Sequence, residues 1–309
     1  MAAATEHRHP SAEGLHLLPP ETALARLLDA QLASAVCLRA ALPALTQAAA
    51  LAAEVLGRGG RLGYAGAGSS GLMALADCLE LAGTFGIPPS QTPMLFAGGA
   101  AALLHMTGGV EDDPALAGAD LARAGLAAGD AVVCVSASGN TPYTLAVARG
   151  AQALGARVIG LANVPGSALP GLADVAVLLD TGSEVVAGST RMAAGTAQKI
   201  ALNLFSTLVG MRLGHVHDGY MVNVQADNAK LRDRAARMVA AISGSAPETA
   251  RAALERTGGA VKPAVLIAAG ADSARAAALL QTHAGHLAPA LDALLKTGPK
   301  GPQPGRNDQ

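Results

Sequence analysis

The sequence predicts an α/β fold: a doubly wound parallel sheet flanked by helices, with N-terminal helices before the sheet and a small C-terminal helical module after it. Two observations predict this class. Five short apolar segments have the composition of strands, and segments with helical periodicity separate them. Strands of this kind are typical of parallel sheets, because crossover helices cover both faces of the sheet.

The elements follow in order along the chain. Residues 21–58 carry apolar residues at helical spacing, and "RGG" at 58–60 ends that segment. The five predicted strands lie in "RLGYAGAG", "PMLFAGG", "AVVCVSAS", "RVIGLANV" and "VAVLLD". A long helix is then predicted from Ser189 to about Gly214, and another through about Ala241.

The same pattern divides the chain into four regions. We expect an N-terminal arm and helices over 1–60, and a sheet domain with its long helices over 61–241. A module of short helices follows over 242–296. Residues 297–309 are rich in glycine and proline, so we expect a disordered tail there.

Composition narrows the function classes. The chain has 309 residues, of which 51% are hydrophobic and 15% are charged, which is enough to form a buried core. Aromatic residues make up 2%, tryptophan is absent and the net charge is -1, so a nucleic-acid partner is not expected. The three cysteines form no CxxC pair, which indicates reduced core thiols in a cytosolic protein.

Two further stretches bear on location. The start, "MAAATEHRHPSAEGLHLLPP", has no apolar h-region of a signal peptide. The stretch "ALPALTQAAALAAEVLG" is interrupted by Thr46, Gln47 and Glu54, and is expected to fall short of the roughly 20 apolar residues of a membrane span. We therefore expect a cytoplasmic protein with no membrane partner.

Two strand–loop–helix units look alike, "RLGYAGAGSSG" and "AVVCVSASGNTPY". A helix start carries unpaired N–H groups and partial positive charge, so it favours a bound anion. Thr141 and Pro142 are typical of an N-cap and a first helical residue. Caps and tight turns explain either loop alone equally well, but a pair at the carboxyl ends of parallel strands favours a ligand. The candidate hydroxyl donors are Ser69, Ser70, Ser136, Ser138 and Thr141.

A dinucleotide site is a poor alternative. "GAGSSG" fits G-x-G-x-x-G, but the acid expected about 20 residues later does not end a second strand. A Walker A motif is absent from the sequence.

The two loops resemble the phosphate-binding loops of sugar isomerase (SIS) domains. Further segments are similar, in order, to bacterial N-acetylmuramic acid 6-phosphate etherases: "TEHRHP", "GAGSSGLMALADCLELAGTFG", "AGGAAALLHMTGGVEDDP", "GSEVVAGSTRMAAGTAQK" and "MVNVQADNAKL". The resemblance continues through the C-terminal module, so it covers nearly the whole chain. The "GSTRM.AGTAQK" pattern is its most specific part, whereas the loops are shared by SIS proteins generally.

This resemblance implies a carbon–oxygen lyase of cell-wall sugar recycling. Such enzymes remove the C2 proton of N-acetylmuramic acid 6-phosphate, expel D-lactate from C3 and add water, which gives N-acetylglucosamine 6-phosphate. The resemblance implies no metal and no organic cofactor. It also implies a phosphorylated amino sugar as the partner, and a homodimer with its site at or near the subunit interface.

The resemblance also implies site residues. Its acid/base glutamate falls at Glu80 and its second important glutamate at Glu111. A carboxylate in apolar surroundings is a better base, which suits Glu80. For Glu111, an ordinary helix start at "EDDP" is an equal alternative, and Asp77 is expected to be a buried hydrogen-bond partner. The expected substrate- and phosphate-binding residues are Gly68, Ser69, Ser70, Ser136, Ser138, Gly139, Asn140, Thr141, Glu184 and Ser189.

Helix geometry constrains Glu80. Ten residues separate it from Ser70, about 15 Å along a continuous helix, which exceeds the distance from a sugar's phosphate to its C2. Two alternatives remain open. Either the chain leaves the helix early, near "LAGTFG", or Glu80 reaches the site of a second subunit, and we favour the second.

The chain departs from the etherase pattern at several positions. Leu72 and Asn140 stand where the family usually has arginine, Ala193 where it has lysine, and Asn223 where it has aspartate. Because cationic donors bind phosphate or carboxylate more strongly than neutral ones, their loss leaves open a substrate without the lactyl carboxylate. Peripheral roles for those side chains are the other explanation.

Two other functions remain as alternatives. A sugar-phosphate isomerase also begins with C2 proton removal, and a non-catalytic regulator binds the sugar phosphate without turnover. Retention of "GSTRM.AGTAQK" argues against the isomerase. Metal binding at "GHVHD" is disfavoured, because His215 and His217 have no third well-spaced ligand nearby.

Overall fold

The computed structural model describes residues 4–106, 108–224 and 229–297. The chain forms two compact units. The first comprises Met1–Gly83 and Ile87–Arg212, and the second comprises Thr84–Gly86 and Leu213–Gln309. The division therefore falls after Arg212, earlier than the predicted boundary after 241. Of the predicted tail, residues 298–309 lie outside the described residues.

The first unit contains eight α-helices and five strands among the described residues. The helices are α1 (Pro20–Val36), α2 (Leu38–Gly57), α3 (Gly68–Phe85), α4 (Gly99–His105), α5 (Leu116–Ala124), α6 (Pro142–Ala153), α7 (Ala168–Leu172) and α8 (Ala193–Arg212). The strands are β1 (Leu62–Gly66), β2 (Met94–Phe96), β3 (Ala131–Ser136), β4 (Arg157–Ala162) and β5 (Val175–Leu178).

The five strands form one parallel sheet in the order β2-β1-β3-β4-β5, which confirms the predicted class. Every residue of β1 and of β3 is buried, as expected for strands covered on both faces. The strand order reverses between β1 and β3, and their ends align, with Gly66 beside Val135. Ligands of open α/β sheets bind at such a reversal, outside the carboxyl ends of the strands.

Two of the three cysteines confirm the expected core thiols. Cys78 and Cys134 are buried and free, whereas Cys37 is free but only half-buried. Cys37 lies at the junction of α1 and α2, where the chain turns between helices. Burial raises the pKa of the Cys134 thiol to about 12, so this group stays protonated.

The second unit is helical apart from one short hairpin. Strands β6 (Val216–His217) and β7 (Tyr220–Met221) pair antiparallel. The helices are α9 (Ala229–Ser243), α10 (Pro247–Arg256), α11 (Val261–Ala268), α12 (Ser273–Thr282) and α13 (Leu287–Thr297). Helix α9, which the sequence assigned to the sheet domain, packs here against α10 and α11.

Within the described ranges, α2 is long and apolar enough to cross a membrane by length and composition alone. One such helix is weak evidence for a membrane span, because a core helix passes the same test. The bent pair α11–α12 passes the same test together. About 44% of the α2 window is buried, and α2 packs against α8 and β5 as a core helix does.

Candidate functional site

A cavity of about 340 Å³ lies where β1 and β3 end and α3 and α6 begin. It brings together the two loops that the sequence singled out. Six of the predicted site residues line it: Ser69, Ser70, Glu111, Ser138, Asn140 and Thr141. Their proximity follows from topology, because the two strands are neighbours at the reversal of strand order.

The first loop packs tightly because its glycines lack side chains. A Cβ on Gly66 would lie 2.9 Å from the Gly71 Cα, so β1 and the first turn of α3 approach closely only with glycine there. Ser69 and Ser70 consequently sit in the first turn of α3. Ser70 is buried, and its Oγ accepts a 3.1 Å hydrogen bond from the Ala137 N–H of the second loop.

Hydrogen bonds between its own residues hold the second loop in place. The Ser136 hydroxyl is buried, lies 2.8 Å from the Thr141 Oγ1 and accepts a 3.0 Å bond from the Gly139 N–H. Gly139 has φ +66°, and a Cβ there would lie 2.0 Å from the Ser167 Oγ. Thr141 and Pro142 do start α6, but the Thr141 hydroxyl makes no capping bond, because Ser136 engages it instead.

Asn140, one of the departures from the etherase pattern, holds the second loop in place. Its Nδ2 donates to the Ser138 carbonyl at 3.2 Å, and its Oδ1 accepts from the Ala168 N–H at 3.0 Å. The side chain therefore ties the loop to the start of α7. It lines the cavity as a neutral amide.

Carboxylates also line the cavity. Glu111 lies beside Gly68, 3.2 Å from where a Cβ on that glycine would be. Burial and the neighbouring Asp112 raise the pKa of the Glu111 carboxyl. Glu6 also lines the cavity, brought there by a 3.0 Å bond from the Gly188 N–H to the Thr5 carbonyl. Among the described lining residues there is no lysine or arginine.

Sequence reasoning missed Thr5, Glu6 and Thr190 as lining residues. Each lies in a segment that carried the family resemblance, "TEHRHP" or "GSTRM". The resemblance of these segments was therefore the signal that could have identified the three residues as part of the site.

Glu80 does not line the cavity of its own chain. Helix α3 continues unbroken to Phe85, so the alternative in which the chain leaves the helix early was wrong. Ser70 and Glu80 are therefore about 15 Å apart along one helix. The Glu80 side chain is exposed in the single chain, so its own subunit does not supply the apolar surroundings expected of it.

Glu184 and Ser189 lie outside the described cavity lining. Glu184 is fully buried, and its two carboxylate oxygens accept 2.9 Å bonds from the N–H groups of Ala193 and Ala194. These are the first two residues of α8, so the carboxylate satisfies the start of that helix. Ser189 is half-buried, and its carbonyl accepts from the Met192 N–H at 3.1 Å.

Asp77 is a buried hydrogen-bond partner, which confirms the expectation. Its carboxylate accepts from the Tyr64 hydroxyl at 2.9 Å and from the Ser206 hydroxyl at 2.8 Å. Burial raises the pKa of Asp77 to about 6 despite these donors.

The second unit holds the remaining candidates. Burial, with Lys262 nearby, lowers the pKa of His215 to about 4. Asn223 donates from Nδ2 to the Phe85 carbonyl at 3.0 Å. Over the ranges that the structure describes, no group of three or more His, Cys, Asp or Glu side chains is placed to hold a metal. Part of the "MVNVQADNAKL" segment, residues 225–228, lies outside those ranges.

Comparison with known proteins agrees with this geometry. Residues 32–163 match the model of the SIS domain family. The N-acetylmuramic acid 6-phosphate etherase of Deinococcus radiodurans is 44% identical over 283 residues, covering 91% of this chain and 93% of the relative. That of Streptomyces avermitilis is 44% identical over 278 residues, covering 89% of each chain.

A solved structure supports the fold. The phosphoheptose isomerase of Francisella tularensis superposes with a TM-score of 0.50 at 20% identity, covering 63% of this chain and 100% of its own. At that identity the likeness concerns the fold alone. By contrast, the etherase relatives match at high identity over most of their length, and on that ground this chain belongs to the N-acetylmuramic acid 6-phosphate etherase family.

Proposed function

We propose that the protein is a carbon–oxygen lyase that converts N-acetylmuramic acid 6-phosphate and water into N-acetylglucosamine 6-phosphate and D-lactate. One observation carries this proposal: a chain 44% identical to an etherase over 283 residues places its two hydroxyl-rich loops around one cavity. We further propose a cytoplasmic enzyme whose partner is this phosphorylated amino sugar, and not a nucleic acid or a membrane. The free thiols support that location.

The phosphate group fits the loop side of the cavity. Helices α3 and α6 both begin at this cavity, and the unpaired N–H groups and partial positive charge of a helix N-terminus favour an anion. Hydroxyls of Ser69, Ser138 and Thr141 stand beside them. Neutral donors of this kind hold an anion without a lysine or arginine, so the loss of the family's cations does not remove the phosphate site.

The reaction needs a base for the C2 proton and an acid for the oxygen that leaves C3. A base removes the C2 proton of the open-chain aldehyde, the C3–O bond breaks, and lactate leaves with a proton, so that a C2=C3 double bond remains next to the aldehyde. Water then adds at C3, and C2 regains a proton. We assign the C2 base to Glu80, in accordance with the family pattern.

Glu111 suits the acid role. It lines the same cavity, and burial and Asp112 already raise its carboxyl pKa. A phosphate dianion bound at the adjacent loops would disfavour the charged carboxylate further, because like charges repel. We therefore assign to Glu111 the role of the acid that protonates the departing oxygen.

We propose that Glu80 acts in the cavity of a second copy of this chain. It is exposed on α3, far from its own cavity, next to Leu79, which is 68% exposed. Helix α1 presents a second apolar surface, a stripe at four-residue spacing. This α1 stripe consists of Leu24, Leu28, Leu32 and Val36, each 58–65% exposed. Burial of Leu79 and of the α1 stripe in a homodimer explains both their exposure in the single chain and a site that one chain leaves incomplete.

The test is lactate release. Purified protein is incubated with N-acetylmuramic acid 6-phosphate, and D-lactate and N-acetylglucosamine 6-phosphate are measured. We expect turnover by the parent, and its loss in Glu80→Gln with affinity for the product kept within a few-fold, since the amide retains shape but cannot take the proton. Glu54→Gln is the matched control, an exposed glutamate of α2 that pairs with Arg58, and should turn over normally.

Other outcomes would contradict the proposal. Ketose formation without lactate indicates an isomerase. Neither product, with the phosphosugar still raising the melting temperature, indicates a sensor of sugar phosphates.

A further inference from the structure

Gln198 is a fully buried amide in α8, within the "AGTAQK" segment. Its Nε2 donates to two side chains, to the Ser70 Oγ at 3.1 Å and to the Asn163 Oδ1 at 2.9 Å. Its Oε1 has no hydrogen-bond partner among the described residues. Gln198 therefore acts on its neighbours only as a hydrogen-bond donor, through both hydrogens of its amide nitrogen.

Asn163 fixes the direction of that donation. Its Nδ2 donates to the Leu179 carbonyl at 3.0 Å, and a carbonyl can only accept. The Asn163 Oδ1 must therefore face Gln198, and an acceptor there requires the Nε2 of Gln198 opposite it. The backbone at the end of β5 in this way sets the orientation of both buried amides.

The orientation of the Gln198 amide determines how the Ser70 hydroxyl can form hydrogen bonds. A serine hydroxyl has two lone pairs and one hydrogen. The Ala137 N–H donates to the Ser70 Oγ at 3.1 Å and Gln198 donates to it at the same distance, so both lone pairs are occupied. Neither neighbour can accept the Ser70 proton. Ser70 lines the cavity, and that proton is left to an acceptor within it.

We infer that Gln198, oriented by Asn163, is a positioning residue that makes Ser70 an obligatory hydrogen-bond donor to the bound phosphate. Gln198 acts through Ser70 and does not touch the substrate. The inference rests on the proposed function only in taking this cavity as the phosphate site. It also gives selectivity, because a hydroxyl locked as a donor favours a group that only accepts, such as a phosphate dianion.

A double-mutant cycle tests the inference. Calorimetry measures binding of N-acetylglucosamine 6-phosphate, which involves no turnover, to the parent, Gln198→Met, Ser70→Ala and the double variant. We expect each single substitution to weaken binding about 10- to 100-fold, the range for one hydrogen bond to a charged group. The double variant should bind within twofold of Ser70→Ala, because Gln198 has no effect once Ser70 is absent.

Controls separate this role from a structural one. Ser206→Ala removes another buried hydrogen bond of the same helix, to Asp77, and should leave the dissociation constant within twofold. In turnover, Gln198→Met should raise KM and leave kcat unchanged, since the phosphate contact is the same in ground and transition states. Gln198→Asn, one methylene shorter, replaces Gln198→Met if that variant does not fold, with the same expectation.

Three results overturn the inference: parent-like binding by Gln198→Met, a double variant weakened by the product of both factors, or no binding by the parent. Absence of lactate release with the coupling intact overturns the proposed function and supports the inference.

Discussion

The Tyr64 hydroxyl donates a 2.9 Å hydrogen bond to the Asp77 Oδ2, and the Asp77 Oδ1 accepts one of 2.8 Å from Ser206. All three residues are buried. The carboxylate thus joins β1 and α8 to α3, the helix that also carries Ser70. Its position explains why a charged residue stands in an apolar helix.

Asp77 should make stability depend on pH. Burial raises its folded pKa to about 6 from 3.8, so between these values the folded protein holds a proton that the unfolded chain has lost. The free energy of unfolding must then fall as pH rises through that window. We expect the parent to lose about 2–3 kcal/mol relative to Asp77→Asn between pH 4 and pH 7. Urea melts at several pH values measure this, and parallel profiles for the two proteins would refute it.

Glu184 should matter for stability through α8. Glu184→Gln replaces one of the two oxygens that satisfy the Ala193 and Ala194 N–H groups. We expect a loss of about 2 kcal/mol in the free energy of unfolding, with KM within twofold of the parent. Denaturant melts and steady-state kinetics measure the two effects. A KM raised fivefold or more at unchanged stability would instead favour the ligand role that the sequence suggested.

The α1 stripe should hold the homodimer together. Leu28→Asp places a charge in its middle, which is costly in an apolar interface, so we expect monomers at micromolar concentration. Asp29→Ala changes the neighbouring exposed residue of the same helix and should leave the dimer intact. Analytical ultracentrifugation distinguishes the two. A parent that sediments as a monomer, or a Leu28→Asp variant that remains dimeric, would contradict this assignment.

The features that the sequence could predict are those with a signal in neighbouring residues. Strands β1 and β3 are apolar runs that end in glycine and serine, and helices follow at once, so both loops and their meeting place were predictable. The family resemblance then singled out Glu80 and Glu111. None of this required knowing which distant residues touch.

The features that the sequence could not predict depend on contacts between segments that are far apart along the chain. Glu184 satisfies a helix that begins nine residues later, across an irregular segment with no periodic signal. Glu6 enters the cavity because the Thr5 carbonyl meets the Gly188 N–H. Ser136 and Ser138 look equivalent in sequence, but only Ser138 lines the cavity, since Ser136 faces Thr141.

The central claim is that the phosphate loops of one chain and Glu80 of another form one active site. Co-expression of two differently tagged variants, Glu80→Gln and Ser69→Glu, and tandem affinity purification yield the mixed dimer. Glu80→Gln keeps its loops, whereas Ser69→Glu places a carboxylate where the phosphate binds.

Each homodimer alone should be inactive in the D-lactate assay. The mixed dimer has one site with intact loops and an intact Glu80, so we expect about half the parent's kcat per dimer, in proportion to the intact sites. A mixed dimer as inactive as its two parents, or no mixed dimer at all, would show that Glu80 does not complete the site of a second subunit.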